Sequence, residues 1–223
     1  NFPITGTKLH PVFIKNLAKI KRAAAITNRK AGRLKPEIAN AIEASANEVI
    51  CGMFDKDFIV DGIQGGAGTS ANMNMNEVLC NRALELLGYP KGRYDIISPN
   101  NHANMAQSTN DVFPTSIKVC LVRKAYRLMD ALSSMARGFD EKGEAFKDVI
   151  KMGRTHLQDA VPITLGEEMD SYAVAVRRGI RRISLSLSSL EALNMGGTAV
   201  GTGLNAEPEY IRLFPEILSR LTG

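Results

Sequence analysis

The chain of 223 residues is 44% apolar and 23% charged, the balance of an ordinary globular protein with room for one large domain or two small ones. Aromatic residues make up 6% and Trp is absent, which beside many Ala, Leu, Met and Ile leans the chain toward helix. A net charge of +5 can help attract acidic substrates but is too diffuse to indicate nucleic acid.

Pro11 suits the first turn of a helix, and Val12, Leu17, Ile20, Ala24 and Ile26 recur at helical spacing up to about Arg29. A second helix is predicted from Pro36, with Ile38, Ile42, Ala46 and Val49 on one face. The short apolar run Phe58-Ile59-Val60 reads as extended. Thr69 or Ser70 is placed to cap a third helix, whose Met73, Leu79, Leu86 and Leu87 face inward and whose end is marked by Gly88. Residues 89–112, rich in Pro, Asn, Gly and Ser, read as an ordered loop. Residues 114–147 have no proline after Pro114 and carry Val119, Val122, Ala125, Met129, Leu132, Met135 and Phe139. At 1.5 Å per residue that helix is about 50 Å long, more than a compact domain of this size needs. Thr164 and Glu167 form a T-x-x-E capping box for a second long helix reaching about Asn194, with Ile180, Ile183, Leu187, Leu190 and Leu193 as its stripe and Gly196-Gly197 as its stop. A short helix from Pro208 to Leu221 comes last.

Two long helices and one short one do not close a bundle, so partner chains or further sequence are expected to complete it. The opening Asn1-Phe2-Pro3-Ile4 lacks an initiator Met and reads as a cut start. Cys51, Cys80 and Cys120 are odd in number, widely spaced and without a CxxC, which argues against a disulfide framework and for a reducing, cytoplasmic setting. No apolar run approaches a bilayer span, and no signal-peptide pattern is read at the start. The basic cluster Arg177-Arg178 with Arg181-Arg182 reads as a solvated face or as ion pairs between subunits.

Three polar clusters stand out. In the segment 65–77, small residues run into Thr69, Ser70, Asn72, Asn74 and Asn76, where close backbone approach and a helix N-terminus favour a carboxylate or phosphate. Asn72 and Asn76 share a helical face, whereas Asn74 points elsewhere and reads as structural. Gln107-Ser108-Thr109-Asn110-Asp111 and Gly153-Arg154-Thr155-His156-Leu157-Gln158-Asp159 have the same character. None holds a Cys–His or carboxylate set spaced for a metal. Each also has a plain reading: Thr69 as a helix cap, Asn110 or Asp111 as a helix start, His156 as a hydrogen-bonded loop residue.

Taken together and in order, the stretches G-G-A-G-T-S-x-N-M-N-x-N-E at 65–77, Q-S-T-N-D-x-x-P-T at 107–115 and G-R-T-H-L-Q-D-A-x-P-x-T-L-G at 153–166 resemble the aspartase/fumarase superfamily. The helical texture between them agrees with it. Fumarase-like chains tend to carry G-S-G-T-Q and S-S-N-D, so Ala67-Gly68-Thr69-Ser70 and Ser108-Thr109-Asn110-Asp111 look closer to the ammonia-lyase branch. Asn101, in Pro99-Asn100-Asn101-His102, stands where many relatives carry Asp.

The resemblance implies a mainly α fold. Residues 1–107 would belong to an N-terminal helical domain, and 108–223 to the first long helices of a central bundle completed in a homotetramer, with active sites where subunits meet. It implies reversible conversion of L-aspartate to fumarate and ammonia through an aci-carboxylate, with no cofactor, no essential metal, and no nucleic-acid or membrane partner. Thr69, Ser108 and Thr109 would bind the β-carboxylate, Thr155 and His156 would meet the α-carboxylate, and Asn110 would orient the amino group. His156 serves as a donor whether neutral or charged. The family's base serine, in a G-S-S-x-M-P-x-K-x-N loop, has no counterpart in these residues. The chain therefore carries substrate-binding residues but no catalytic base, and is expected to be inactive alone. A fumarate hydratase is the nearer alternative. A structural protein keeping the fold, as lens crystallins do in a related branch, is the other, against which the intact site residues weigh.

Overall fold

The computed structural model describes residues 4–63 and 66–223; Gly65, which opens the glycine-rich stretch, and Asn1-Phe2-Pro3, where a cut start is expected, lie outside them. In chain order the elements are α1 (Pro11–Lys30), α2 (Pro36–Ile50), α3 (Thr69–Leu86), α4 (Thr109–Ala145), the strands β1 (Ile150–Thr155) and β2 (Gln158–Thr164), α5 (Leu165–Glu191) and α6 (Pro208–Thr222). The mainly helical reading holds. The contacts group the chain into two compact units, Asn1–Cys120 with Leu193–Gly223, and Leu121–Ala192.

In the first unit, α1 starts at Pro11 with the His10 ring accepting the Val12 N–H, and it ends on Arg29 and Lys30, which suit the negative end of the helix dipole. Its Ile14, Leu17, Ala18, Ile20, Ala23 and Ala24 are buried in one core with Ala46 and Val49 of α2, Met75 and Leu79 of α3, and Tyr210, Phe214, Ile217 and Leu218 of α6. Alanines on α1 and α2 let those two axes approach closely. The last helix, expected to belong with the long ones, packs on α1: its buried residues fall at i, i+4, i+7 and i+8, a complete stripe in a short helix. A second core joins Ala39, Ile42, Cys80, Ala83, Leu84, Ile97 and Ala103. Phe58 is buried between elements without being part of a strand.

Two boundaries differ from the sequence reading. The third helix begins at Thr69 with Gly68 in the cap position and no side-chain cap, so neither Thr69 nor Ser70 caps it. The fourth begins at Thr109, inside the expected loop, and takes Pro114 into its second turn, where the ring leaves the Asn110 carbonyl without its helical N–H partner. The loop before it contains a π turn, Pro99–Ala103.

In the second unit the segment read as a polar loop is an antiparallel hairpin, β1 against β2, with Thr155 opposite Gln158. Gly153 lets the strands close, because a Cβ there would stand 2.8 Å from the Val161 carbonyl. The Thr164–Glu167 capping box forms in full, each side chain accepting the other's backbone N–H. Phe139 of α4 stacks at 5.6 Å on Tyr172 of α5, and Asp140 pairs with Arg177, which gives one member of the basic cluster a partner within its own unit.

Burial pushes the Cys80 thiol up to about 12, while Cys51 is exposed. In native full-length protein treated with a thiol reagent near neutral pH, Cys80 is expected to stay unmodified until the protein unfolds. Peptide mapping that finds label on native Cys80 would contradict this packing.

Candidate functional site

The site grows from two helix starts placed side by side in the first unit. At the head of α3, Gly68 has φ +87°, a left-handed conformation that other residues rarely adopt, and a Cβ there would overlap the Phe113 ring of α4. That glycine brings the two helix starts together. Thr69 follows as the first helical residue, with its side chain exposed. One turn in, the buried Asn72 amide donates to the Thr109 hydroxyl at 3.0 Å.

At the head of α4, Ser108 and Asp111 satisfy one another much as a capping box does. The Ser108 hydroxyl accepts the Asn110 N–H at 3.1 Å, and the Asp111 carboxylate accepts the Ser108 N–H at 2.9 Å. The buried carboxylate also accepts the Thr198 N–H, at 3.0 and 3.2 Å to its two oxygens. Asn110 is exposed and donates to the Ala199 carbonyl at 3.4 Å.

Behind this turn lies a buried lysine. Lys21 of α1 is fully enclosed, and its ammonium donates to Asn104 Oδ1 and Gln107 Oε1, each at 2.9 Å. The same Asn104 oxygen accepts from Asn72 at 3.2 Å and Asn76 at 3.3 Å, while the Asn104 amide donates to the Gln107 carbonyl at 3.1 Å. Asn74, as its position predicts, faces elsewhere: it accepts from Ile59 N–H and donates to the Asp57 carbonyl. Desolvation lowers Lys21 to about 7, against the raising influence of Cys80 and Asp111. Burial likewise raises Asp111 above the usual carboxylate range, although the Ser108 and Thr198 N–H groups and Lys21 pull it down.

The arrangement favours an anion. Ser108 and Thr109 each accept one hydrogen bond at the hydroxyl, which leaves each its own proton to donate to a ligand. Two helix N-termini add their partial positive charge, and Lys21 adds its own from behind at pH values below about 7, where it holds its proton. Beside Asn110 a cleft of about 520 Å³ is walled by Asp111, the segment 193–203 and Ile211. Among the described residues no group of His, Cys, Asp and Glu is placed to hold a metal.

Thr69, Ser108, Thr109 and Asn110 thus lie at adjoining helix starts. Thr155 and His156 belong to the second unit, where Thr155 ends β1 and His156 and Leu157 form the hairpin tip. Both tip residues have positive φ, +52° and +62°, and Leu157 is 93% exposed. Two-residue hairpins with that backbone usually use Asn-Gly, so a His-Leu tip is held at some cost in strain. Sequence reasoning missed Lys21, Asn104 and the part played by Asp111. A signal existed for the lysine: it lies four residues after Leu17 and three before Ala24, inside the apolar stripe.

The sign of the lysine's contribution to stability follows from its lowered value. Below about pH 7 both folded and unfolded chains hold the proton, and the full cost of burying it is present. From about 7 to 10.5 the unfolded chain binds more protons, so this residue's contribution to stability rises with pH. Urea melts of full-length protein and its Lys21→Met variant are expected to diverge, the parent gaining on the order of 2 kcal/mol relative to the variant between about pH 6.5 and 9. A difference constant with pH would contradict a buried ammonium.

A family model described as lyase matches residues 1–223. An aspartate ammonia-lyase from Bacillus sp is 52% identical over 223 residues, covering all of this chain and 48% of the relative. A fumarate lyase:delta crystallin structure from Brucella melitensis superposes with a TM-score of 0.95 at 43% identity, and a class II fumarase from Schistosoma mansoni with 0.90 at 36%; both cover all of this chain, and 49% and 47% of theirs. The chain therefore spans about half the length of the curated relatives it matches.

Proposed function

The chain belongs to the lyase family, and from that membership we propose that the full-length protein is an aspartate ammonia-lyase, interconverting L-aspartate with fumarate and ammonia. The single observation that carries this reading from family to chemistry is the pair of adjoining helix starts bearing Thr69, Ser108 and Thr109.

The hard step of such a reaction is removal of a Cβ proton beside a carboxylate. The carbanion survives only if its charge spreads onto the carboxylate as an aci-carboxylate with two negative oxygens. Donors fixed beforehand toward those oxygens lower that barrier most, and losing one costs about 3 kcal/mol. In this proposal Thr69, Ser108 and Thr109 hold the β-carboxylate and Asn110 orients the departing amino group. Thr155 and His156 hold the α-carboxylate, and the strained, exposed hairpin tip suits a residue delivered to a site it does not itself enclose. The base, a serine, lies in sequence beyond residue 223. The enzyme works as a homotetramer in the cytoplasm, with the exposed Leu121, Leu128 and Met135 of α4 covered by other subunits. Among the described residues no helix is long and apolar enough to cross a membrane.

The proposal is tested by assaying full-length protein for ammonia release from L-aspartate and for hydration of fumarate. Release without hydration is expected; hydration without release would make it a fumarase. Replacing His156 with Leu is expected to lower kcat/KM for aspartate by about 2–4 kcal/mol, because a substrate carboxylate loses its partner. Tm should change little, since the ring is exposed. Near-normal turnover by a destabilised variant would remove His156 from the site.

A further inference from the structure

We propose that Asp111 is a positioning residue that sets the polarity of the site toward the amino group, by tying the segment 196–203 to the first turn of α4 and thereby fixing Asn110. This rests on the reading of Asn110 as the residue that meets the amino group of aspartate.

Asp111 is buried and spends its carboxylate on backbone N–H groups from two directions: Ser108 at the start of its own helix, and Thr198 from a segment 87 positions away. Its neighbour Asn110 reaches the next residue of that same segment through the Ala199 carbonyl. The Asn110 side chain is therefore steered by a loop whose position Asp111 sets. That loop has little freedom of its own. Thr198 sits at φ +58°, an unusual conformation for a β-branched residue, and a Cβ on Gly197 would meet the Asn194 carbonyl at 3.2 Å and the Gly201 Cα at 3.4 Å. The Gly203 N–H closes back on the Gly197 carbonyl at 3.0 Å. Strain of this kind persists only where neighbours enforce it, and the bond to Asp111 is such a restraint. The same segment and both residues wall the cleft beside Asn110.

An asparagine at this position presents an N–H₂ group where at least one backbone N–H now finds an acceptor, so the segment and Asn110 must shift. Only the Asn110 side chain follows the Ala199 carbonyl: with the asparagine oxygen turned to the Ser108 N–H, Ser108 keeps that bond and the Asn110 backbone N–H on its hydroxyl, and Thr109 keeps the Asn72 amide. The loss should therefore fall on recognition of the amino group and spare recognition of the carboxylates.

The test uses full-length protein and two ligands: L-aspartate as substrate, and succinate, which has the carboxylates without the amine, as competitive inhibitor. Asp111→Asn is expected to raise KM for aspartate about tenfold while changing the succinate inhibition constant by less than about twofold. Asn110→Ala should show the same signature, and the double variant should be no worse than the worse single one. If Asp111→Asn yields no folded protein, Asp111→Glu keeps the charge but displaces the loop, and should give the same aspartate-selective change at smaller size. Equal weakening toward both ligands, or additive effects in the double variant, would overturn the proposal. Absence of any lyase activity in the parent would instead remove the functional reading on which it rests.

Discussion

The first unit is organised around one enclosed charge. Taking the Lys21 ammonium out of water costs several kcal/mol unless its protons find acceptors, and here the acceptors are carboxamide oxygens on the stretch that leads into α4. Asn104 takes that bond and two more from α3, so a single oxygen ties α1, α3 and the π-turn stretch together. Asn72 carries the connection on to Thr109. A packed core of Leu and Ala could hold these helices as firmly. It could not fix the direction of a hydroxyl.

That requirement explains why so much buried polarity is tolerated. Asn16, Asn72, Asn76, Ser116, Thr198 and Tyr210 are buried, and each retains a side-chain oxygen without a hydrogen-bond partner in the protein. Each such atom costs about 1–3 kcal/mol. In a protein selected for stability alone, apolar residues would stand there. Asn72 and Thr198 are bonded to Thr109 and Asp111 at the head of α4, and there the buried polarity suits a structure that gives up stability to hold donors and acceptors ready for a charged ligand.

Most helices were legible because their signals are local: Pro11, Pro36 and Pro208 at first turns, Gly88 past an end, the Thr164–Glu167 box, and stripes of helical period between them. The hairpin was not, because its turn uses His156-Leu157 in place of the Asn-Gly that would announce it, and its strands are polar and short. The packing of α6 on α1 depends on contacts between residues almost two hundred positions apart, which periodicity does not encode. Within the site, Ser108, Thr109 and Asn110 were legible as a motif. Lys21 was not, and Asp111, though part of that motif, gave no sign of its bond to Thr198, since the value of each comes from the group it meets across the fold. The family resemblance supplied roles that no spacing could. The geometry adds how the hydroxyls are aimed.

The central claim is that the hydroxyls at the two helix starts receive a substrate carboxylate. A crystal structure of the full-length protein with bound succinate tests it most directly. The account predicts one carboxylate with its oxygens about 2.5–3.0 Å from the hydroxyls of Thr69, Ser108 and Thr109, with Lys21 still bonded to Asn104 behind them. Succinate bound elsewhere, with these hydroxyls turned into the protein, would contradict it.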